Sequence, residues 1–538
     1  MKIRVQTDLI AESFEKLKYS INFLLNSVGV SFTFAREGEK HDLEIIYGDF
    51  APLNQSHCIR IYQSDGYKKP SSLLNEIHDF EDRNLSFKVL GPTEDGKASV
   101  SFQLTENGFT LVSIDFDLLA NIFFHLSRSE EKDKAKDMHK RYDSSFSILQ
   151  KLGGLKTPLI NKYIRLFSQL LEHVFPILIT KELFPQNETF GVVLTHDIDR
   201  IKKSGIRSSI TNIFSKGFEG FQDLGDTFWN FETIALFEKA VNASSAFYFM
   251  TEAKDRDSLR YRIKSSKMKN LLKDLHRSQF EIGLHSSYYC DEKNKYDKEK
   301  QVIEKIIDDE VIGNRNHYLR AIFPESWKKL ADSGFEYDTT LGYSDEIGYR
   351  SGYSGAYDVY LPNSELGLVE IPLTVMDSYF GEVPDEDDYQ QKMEILEDLI
   401  FDAEENNGTI CTLWHQSSWD EKYYGKLSLL YESFVLICSH KRAFICSPRE
   451  LVSWKKARDS FQIIESKFVD DRYEILASVG ESCEFLALKC FFGKLEVGKV
   501  ETLNASVEEL FFDGTYLRII LKKLKKGQKV RLKIELNE

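Results

Sequence analysis

The spacing of apolar and polar residues divides this chain into four regions. Up to about residue 130, helical and alternating stretches are mixed. IAESFEKLKYSINFLLNSV has apolar residues at helical spacing, and VSFTFA and LEIIYG read as strands. KASVSFQL and GFTLVSIDFD form a strand pair around Asn107-Gly108. A charged stretch, SRSEEKDKAKDMHKRY, leads into SFSILQKLGGLKTPLINKYIRLFSQLLEHVF, where the pattern predicts helices broken at Gly153-Gly154 and Pro158. From about 186 to 458 short apolar runs (FGVVLT, SAFYFM, FEIGLH, HYLRAI, LVEIPL, TICTLWH, AFICS) are strand candidates. Helix-spaced segments such as KMKNLLKDLHRSQ, KEKQVIEKIIDDEV, ESWKKLADSG and DDYQQKMEILEDLIFDAEENN lie between several of them. Beyond Phe461, YEILASV, EFLALKCFF, YLRIILKKL and KVRLKIEL alternate between Gly-containing turns.

These patterns predict an N-terminal α+β domain over 1–130, a helical bridge over 131–185, an α/β region over 186–458 and a small C-terminal all-β module over 461–538. Strand alternating with helix argues for a parallel sheet with crossover helices. About seven such units suit a distorted (β/α) barrel better than an open sheet, and chemistry in such barrels sits at the C-terminal ends of the strands. Polar residues gather at those predicted ends: His196, Asp197 and Asp199, then His285, then His415.

Two carboxylates at i and i+2 on a strand end serve several chemistries. A sugar transferase uses them to hold a cation against a nucleoside diphosphate. A dehalogenase-type phosphatase uses the first as nucleophile, but wants Thr or Val where Ile201 stands. A metal-dependent deacetylase uses one as base and one as ligand. A salt-bridged strand end or helix cap is the plainest reading. His285 and His415 at further strand ends shift the balance, because imidazole with carboxylate suits zinc and related divalent cations. There is also no glycine-rich phosphate cradle. A hydrolase reading leads.

Composition narrows the class. Acidic side chains outnumber basic ones, 85 to 70, for a formal net charge of -15. That argues against a nucleic-acid partner, which wants a basic face. No apolar run approaches the ~20 residues that span a bilayer. The first residues, MKIRVQTDLIAESFEKL, lack a signal-peptide core, so a cytoplasmic location is expected. Seven cysteines without CxxC spacing predict free thiols. The oligomeric state is left open.

The ordered segments THDID, EIGLHSS, NRNHYLR, YDTTLGYSDEIGYRSG, VEIPLTVMD and LWHQSS resemble the polysaccharide deacetylase superfamily (NodB homology, carbohydrate esterase family 4). More narrowly, they resemble a bacterial branch with an N-terminal domain of unknown function, through FDLLANIFFHLSRSEE and PLINKY. The resemblance implies a distorted barrel that hydrolyses an acetyl group, usually N-linked, from a carbohydrate, with a divalent metal, zinc being the one expected. It implies Asp197 as general base, Asp199 and His285 as metal ligands, and His415 as the acid that protonates the leaving amine. Arg350 would orient the base, and Asp377 would pair with the acid histidine.

The family's His-x-x-x-His spacing fails here, because Tyr289 stands four residues after His285. Tyrosine is a poor zinc ligand at neutral pH. His317 is the best substitute ligand, with a packed strand histidine as the equal alternative. His196 is expected to point away from the site, since strand neighbours alternate faces. Glu281, Arg320 and Tyr318 are candidates for a sugar cleft, with a salt bridge the better reading for Glu281. Trp414 and Trp419 are candidates for stacking on a sugar ring or for packing. The broken motif also motivates an alternative: a catalytically impaired, deacetylase-like protein that binds a glycan.

Overall fold

The computed structural model of the chain describes residues 1–537, except 95, 133, 202–227, 253–260, 294, 365, 471 and 494. Its middle part is a curled, mainly parallel sheet. Gly191–Ile198 lies at the centre and is buried along its whole length. It pairs in parallel with Ser245–Phe249, and then follow Glu281–Ser286, Gly313–Asn316 and Tyr337–Asp338. On its other side it meets Thr409–Leu413, while its first residues also pair with Phe444–Cys446 on the side that carries Ser245–Phe249 further along.

The segment 369–376 joins both flanks of this sheet. Val369–Glu370 pairs with Tyr337–Asp338, and Val375–Met376 pairs with Thr412 and Leu413. Pro372 lies between the two halves and has no N–H to give to a ladder. The neighbouring N–H groups of Ile371 and Thr374 reach the carbonyls of Asp338 and Cys411. One interrupted strand thereby touches two strands far apart in the sheet order, and the sheet curls. Helices Ser266–Arg277, Tyr296–Ile307, Glu325–Asp332 and Glu386–Glu405 occupy the crossovers.

The interior of the curl combines an apolar cluster, including Val193, Ala246, Ile371 and Leu413, with buried polar groups. Gly283 and Gly313 have no side chain where tyrosine rings cross them. A Cβ would lie 2.3 Å from the Tyr248 ring at the first and 1.9 Å from the Tyr337 ring at the second. The two phenols meet at 2.9 Å, and Tyr337 Oη donates to Glu281 Oε1 at 2.7 Å. Arg315 lies above Tyr248, 4.9 Å from the ring centroid. A chain of polar side chains thus runs from the start of the strands up to Asp197.

Ahead of this sheet, Lys2–Thr7, Leu43–Tyr47, His57–Ile61 and Thr110–Ile114 form a parallel core, with Val100–Leu104 antiparallel at one edge. Beyond it stand two four-stranded sheets. One holds Gln462–Val469, Arg472–Ser478, Lys529–Asn537 and Glu496–Leu503. The other holds Ser506–Phe512, Tyr516–Leu524, Cys483–Phe491 and, from far earlier in the chain, Leu178–Lys181. That last strand falls in the stretch expected to be a helical bridge. Ile177, Ile179 and Thr180 are β-branched residues following Pro176, and they favour the sheet. The seven cysteines are free thiols, six of them buried. Among the described residues, no helix is long and apolar enough to cross a membrane.

Candidate active site

The strand ends bring most of the predicted residues together. Asp197 and Asp199, two apart on the central strand's end, face the same way. His285 closes in from Glu281–Ser286: its Nε2 lies 3.1 Å from Asp199 Oδ1 and its Nδ1 3.7 Å from Asp197 Oδ2. His317 Nε2 is 3.8 Å from Asp199 Oδ2, and His415 Nε2 is 3.5 Å from the same oxygen. One ligand atom each from Asp199, His285 and His317 lies within 4.8 Å of the others.

This donor set fits a divalent cation. His285 Nδ1 donates to the Arg315 carbonyl at 2.9 Å, which fixes the ring and turns Nε2 toward Asp199. Burial works against ionisation of Asp199, yet His317, His285 and His415 hold its carboxyl well below the usual range. Burial likewise disfavours a charged His285, but Asp197 and Asp199 outweigh it and raise the imidazole. The carboxylates favour the charged forms of His285 and His415, and a site that favours positive charge in this way is one where a cation can replace protons.

His317 is not on a strand as HYLRAI suggested. The strand is Gly313–Asn316, and His317–Leu319 is a single 3₁₀ turn. Tyr318 and Leu319 both take left-handed conformations, at φ 61° and 54°. This costly backbone presents His317 and Tyr318 at the mouth of the site.

Asp197 is buried and hydrogen-bonded by Arg315, whose Nη1 donates to Oδ1 at 3.0 Å. The same guanidinium donates to Thr195 Oγ1 at 2.7 Å and to the Thr339 carbonyl at 3.2 Å. Sequence reasoning placed Arg350 in this role, and the structure places it elsewhere. Arg350 Nη2 and Nε donate to both oxygens of Glu131, at 2.7 and 2.9 Å. Arg128 donates to Glu131 as well. Arg350 is therefore spent on the chain segment ahead of the sheet. Arg315 faces the site because it pairs in register with His285 on the neighbouring strand, a relation that no local sequence pattern carries.

His415 follows Thr409–Leu413. Asp377, after Val375–Met376, accepts from its Nδ1 at 2.8 Å and from its backbone N–H at 2.7 Å. Ser418 also donates to Asp377. Burial pulls the His415 imidazole down, but Asp377 and Asp199 outweigh it and hold it well above its ordinary value. His415 can therefore carry a proton through neutral pH.

Other candidates are placed outside the site. His196 is buried between the Trp414 carbonyl and Glu238, each 2.8 Å away. Glu281 sits at the start of its strand, against Tyr337 and the Arg449 N–H. Trp414 is fully buried against Phe380 and Tyr431, and Trp419 packs edge-on against Tyr431 and His196. Neither offers a broad open ring face. Arg320 lies over Tyr288 and donates to its carbonyl. Tyr318 does line the site, in both cavities that meet at Asp199 and His317.

Residues 7–176 match a family described as a family of unknown function (DUF7033). Among curated proteins none matches the chain. Similar solved structures include a putative polysaccharide deacetylase from Mycobacterium smegmatis, 14% identical with a TM-score of 0.37, over 51% of this chain and 93% of that one. Another is Agd3, a novel carbohydrate deacetylase, 8% identical with a TM-score of 0.39, over 99% of both chains. A third is a CE4 family pseudoenzyme from Bacillus anthracis, 11% identical with a TM-score of 0.27, over 49% of this chain and 66% of that one. Polysaccharide deacetylases are thus among the structures to which this chain is similar.

Proposed function

We propose that the chain is a metal-dependent hydrolase that removes an acetyl group, N-linked, from a carbohydrate. One observation carries the reading. The donor atoms of Asp199, His285 and His317 converge, and a further carboxylate, Asp197, and a further imidazole, His415, border them. Asp199, His285 and His317 would hold the cation, and imidazole with carboxylate suits zinc. A bound cation would polarise a carbonyl and lower the pKa of water. Asp197, held by Arg315, takes the proton of the attacking water. Water oxygen bonds to the acyl carbon and the C–N bond breaks. His415, held charged by Asp377, gives its proton to the departing nitrogen. The acetylated sugar as substrate comes from the motif order.

A second reading, a deacetylase-like protein that only binds a glycan, is favoured by Tyr289 in place of the second motif histidine. Acetate release from chitin oligomers or an acetyl ester, by zinc-loaded protein, decides between them. Asp197→Asn and His415→Ala should each lower the rate on the order of a hundredfold. Near-wild-type release from either variant removes the assignment. Sugar binding without any release leaves the second reading.

A further inference from the structure

The curled sheet does not build the mouth of this site alone. The segment 137–142 lies against it. The His139 ring stacks on Tyr318, with centroids 4.6 Å apart and planes 6° apart, and its Nδ1 is 2.9 Å from Tyr288 Oη. Tyr318 packs in turn on His317 at 4.2 Å. The segment is anchored on both sides. Glu131 is gripped by Arg350 and Arg128, and Ser144 Oγ donates to Asp345 at 2.7 Å.

Two cavities, of about 260 and 310 Å³, share Asp199, His317, Tyr318, Ser378 and His415. Among the described residues, each has one arginine in its wall. Arg141, from the anchored segment, lines the first, and Arg200 lines the second. Among the described residues, Arg141 is paired with one carboxylate and Arg200 is held by one hydroxyl and the Phe228 ring. Arg141 Nε donates to Asp137 at 2.7 Å, and Arg200 Nη2 donates to Tyr424 Oη at 3.0 Å. Either bond takes one of the five N–H donors that a guanidinium presents in a fork matched to carboxylate and phosphate. In a chain of net charge -15, two guanidinium groups beside the reacting centre run against the overall charge.

We infer that the site takes an anionic saccharide, an acetylated sugar bearing a carboxylate or phosphate, with Arg141 and Arg200 as the groups that bind the anion. The inference rests on the hydrolase reading for the position of the sugar, and adds the substrate's charge. The segment ahead of the sheet then belongs to the binding site, because it supplies Arg141.

Calorimetric titration of the full, zinc-loaded chain with N-acetylglucosamine, N-acetylmuramic acid and N-acetylglucosamine 6-phosphate tests this. At least one of the two anionic sugars should bind about tenfold or more tighter than the neutral one, as a hydrogen bond to a charged group provides. The two arms separate carboxylate from phosphate. The preference should weaken as salt rises. Arg141→Gln should remove most of it, Arg141→Lys less, and Arg200→Gln gives an independent second variant. Equal binding of all three sugars, binding of none, or a preference untouched in both glutamine variants overturns the inference. Acetate release measured on the same samples keeps the two readings apart. A charge preference without release removes hydrolysis alone, and release without preference removes the charge selection alone.

Discussion

Arg315 and Arg350 are both almost wholly buried, and each faces a carboxylate, yet they hold together different things. Arg315 lies inside the curl, on Tyr248, and joins Asp197 to Thr195 and the Thr339 carbonyl. Arg350 lies at the joint between the curled sheet and the segment ahead of it, and shares Glu131 with Arg128. A buried guanidinium is costly to desolvate and persists where paired. Burial and pairing alone therefore do not distinguish an arginine that serves the chemistry from one that serves the assembly. The residues one step further out do.

The contrast breaks most sharply at Arg315. Arg315→Met leaves Asp197 buried without its cation. Acetate release should fall on the order of a hundredfold, and stability by about 3–5 kcal/mol. Arg315→Lys should recover stability better than rate, because a single ammonium cannot span the fork's partners. Steady-state kinetics beside urea denaturation read both, and near-wild-type turnover in the methionine variant would end the assignment. Next in size, His317→Ala should lower zinc content as far as His285→Ala does, by elemental analysis. Unchanged zinc in the first alone would return His317 to a packing role. Removing zinc with a chelator should abolish turnover, and adding it back should restore it.

Arg350→Met should act on the fold instead. Glu131 retains Arg128, so the loss is put at about 3 kcal/mol. Zinc content of the folded fraction should stay intact, and a zinc loss without a stability loss would erase the division between the two arginines. The smallest effect is a shift in pH. Asp377 helps raise the His415 pKa, so the imidazole keeps its proton through neutral pH and loses it only as pH rises further. Asp377→Asn lowers that pKa, so the alkaline limb of kcat/KM should move to lower pH. A limb that stays in place would mean that His415 is not the group titrating there.

Much of the site was legible because it follows strand geometry. Asp197 and Asp199 share a face by alternation, and apolar strands ending in His285 and His415 brought both into place. What was missed depends on contacts that no local pattern carries. Arg350 stands in a motif-like GYRSG, but Glu131 claims it from 219 residues away in sequence. HYLRAI has the composition of a strand, yet the chain leaves the sheet at His317 and turns through two left-handed residues. Leu178–Lys181 is too short to announce itself beside a long helix, and its partner lies at the other end of the chain. Trp414 and Trp419 flank a site histidine in sequence but pack into the helices behind it.

The strand Leu178–Lys181 also sets an order of events at the ribosome. Thr180 and its neighbour Lys489 are 309 residues apart, whereas Thr195 and Thr412, which join two strands of the curled sheet, are 217 apart. Synthesis proceeds from the N-terminus, so the curled sheet can close while the edge at 178–181 still awaits its partner. An unpaired strand edge is a template for another chain. Nascent chains stalled after the helix Pro448–Ser460 should therefore be the aggregation-prone ones, even with every residue of the candidate active site already made.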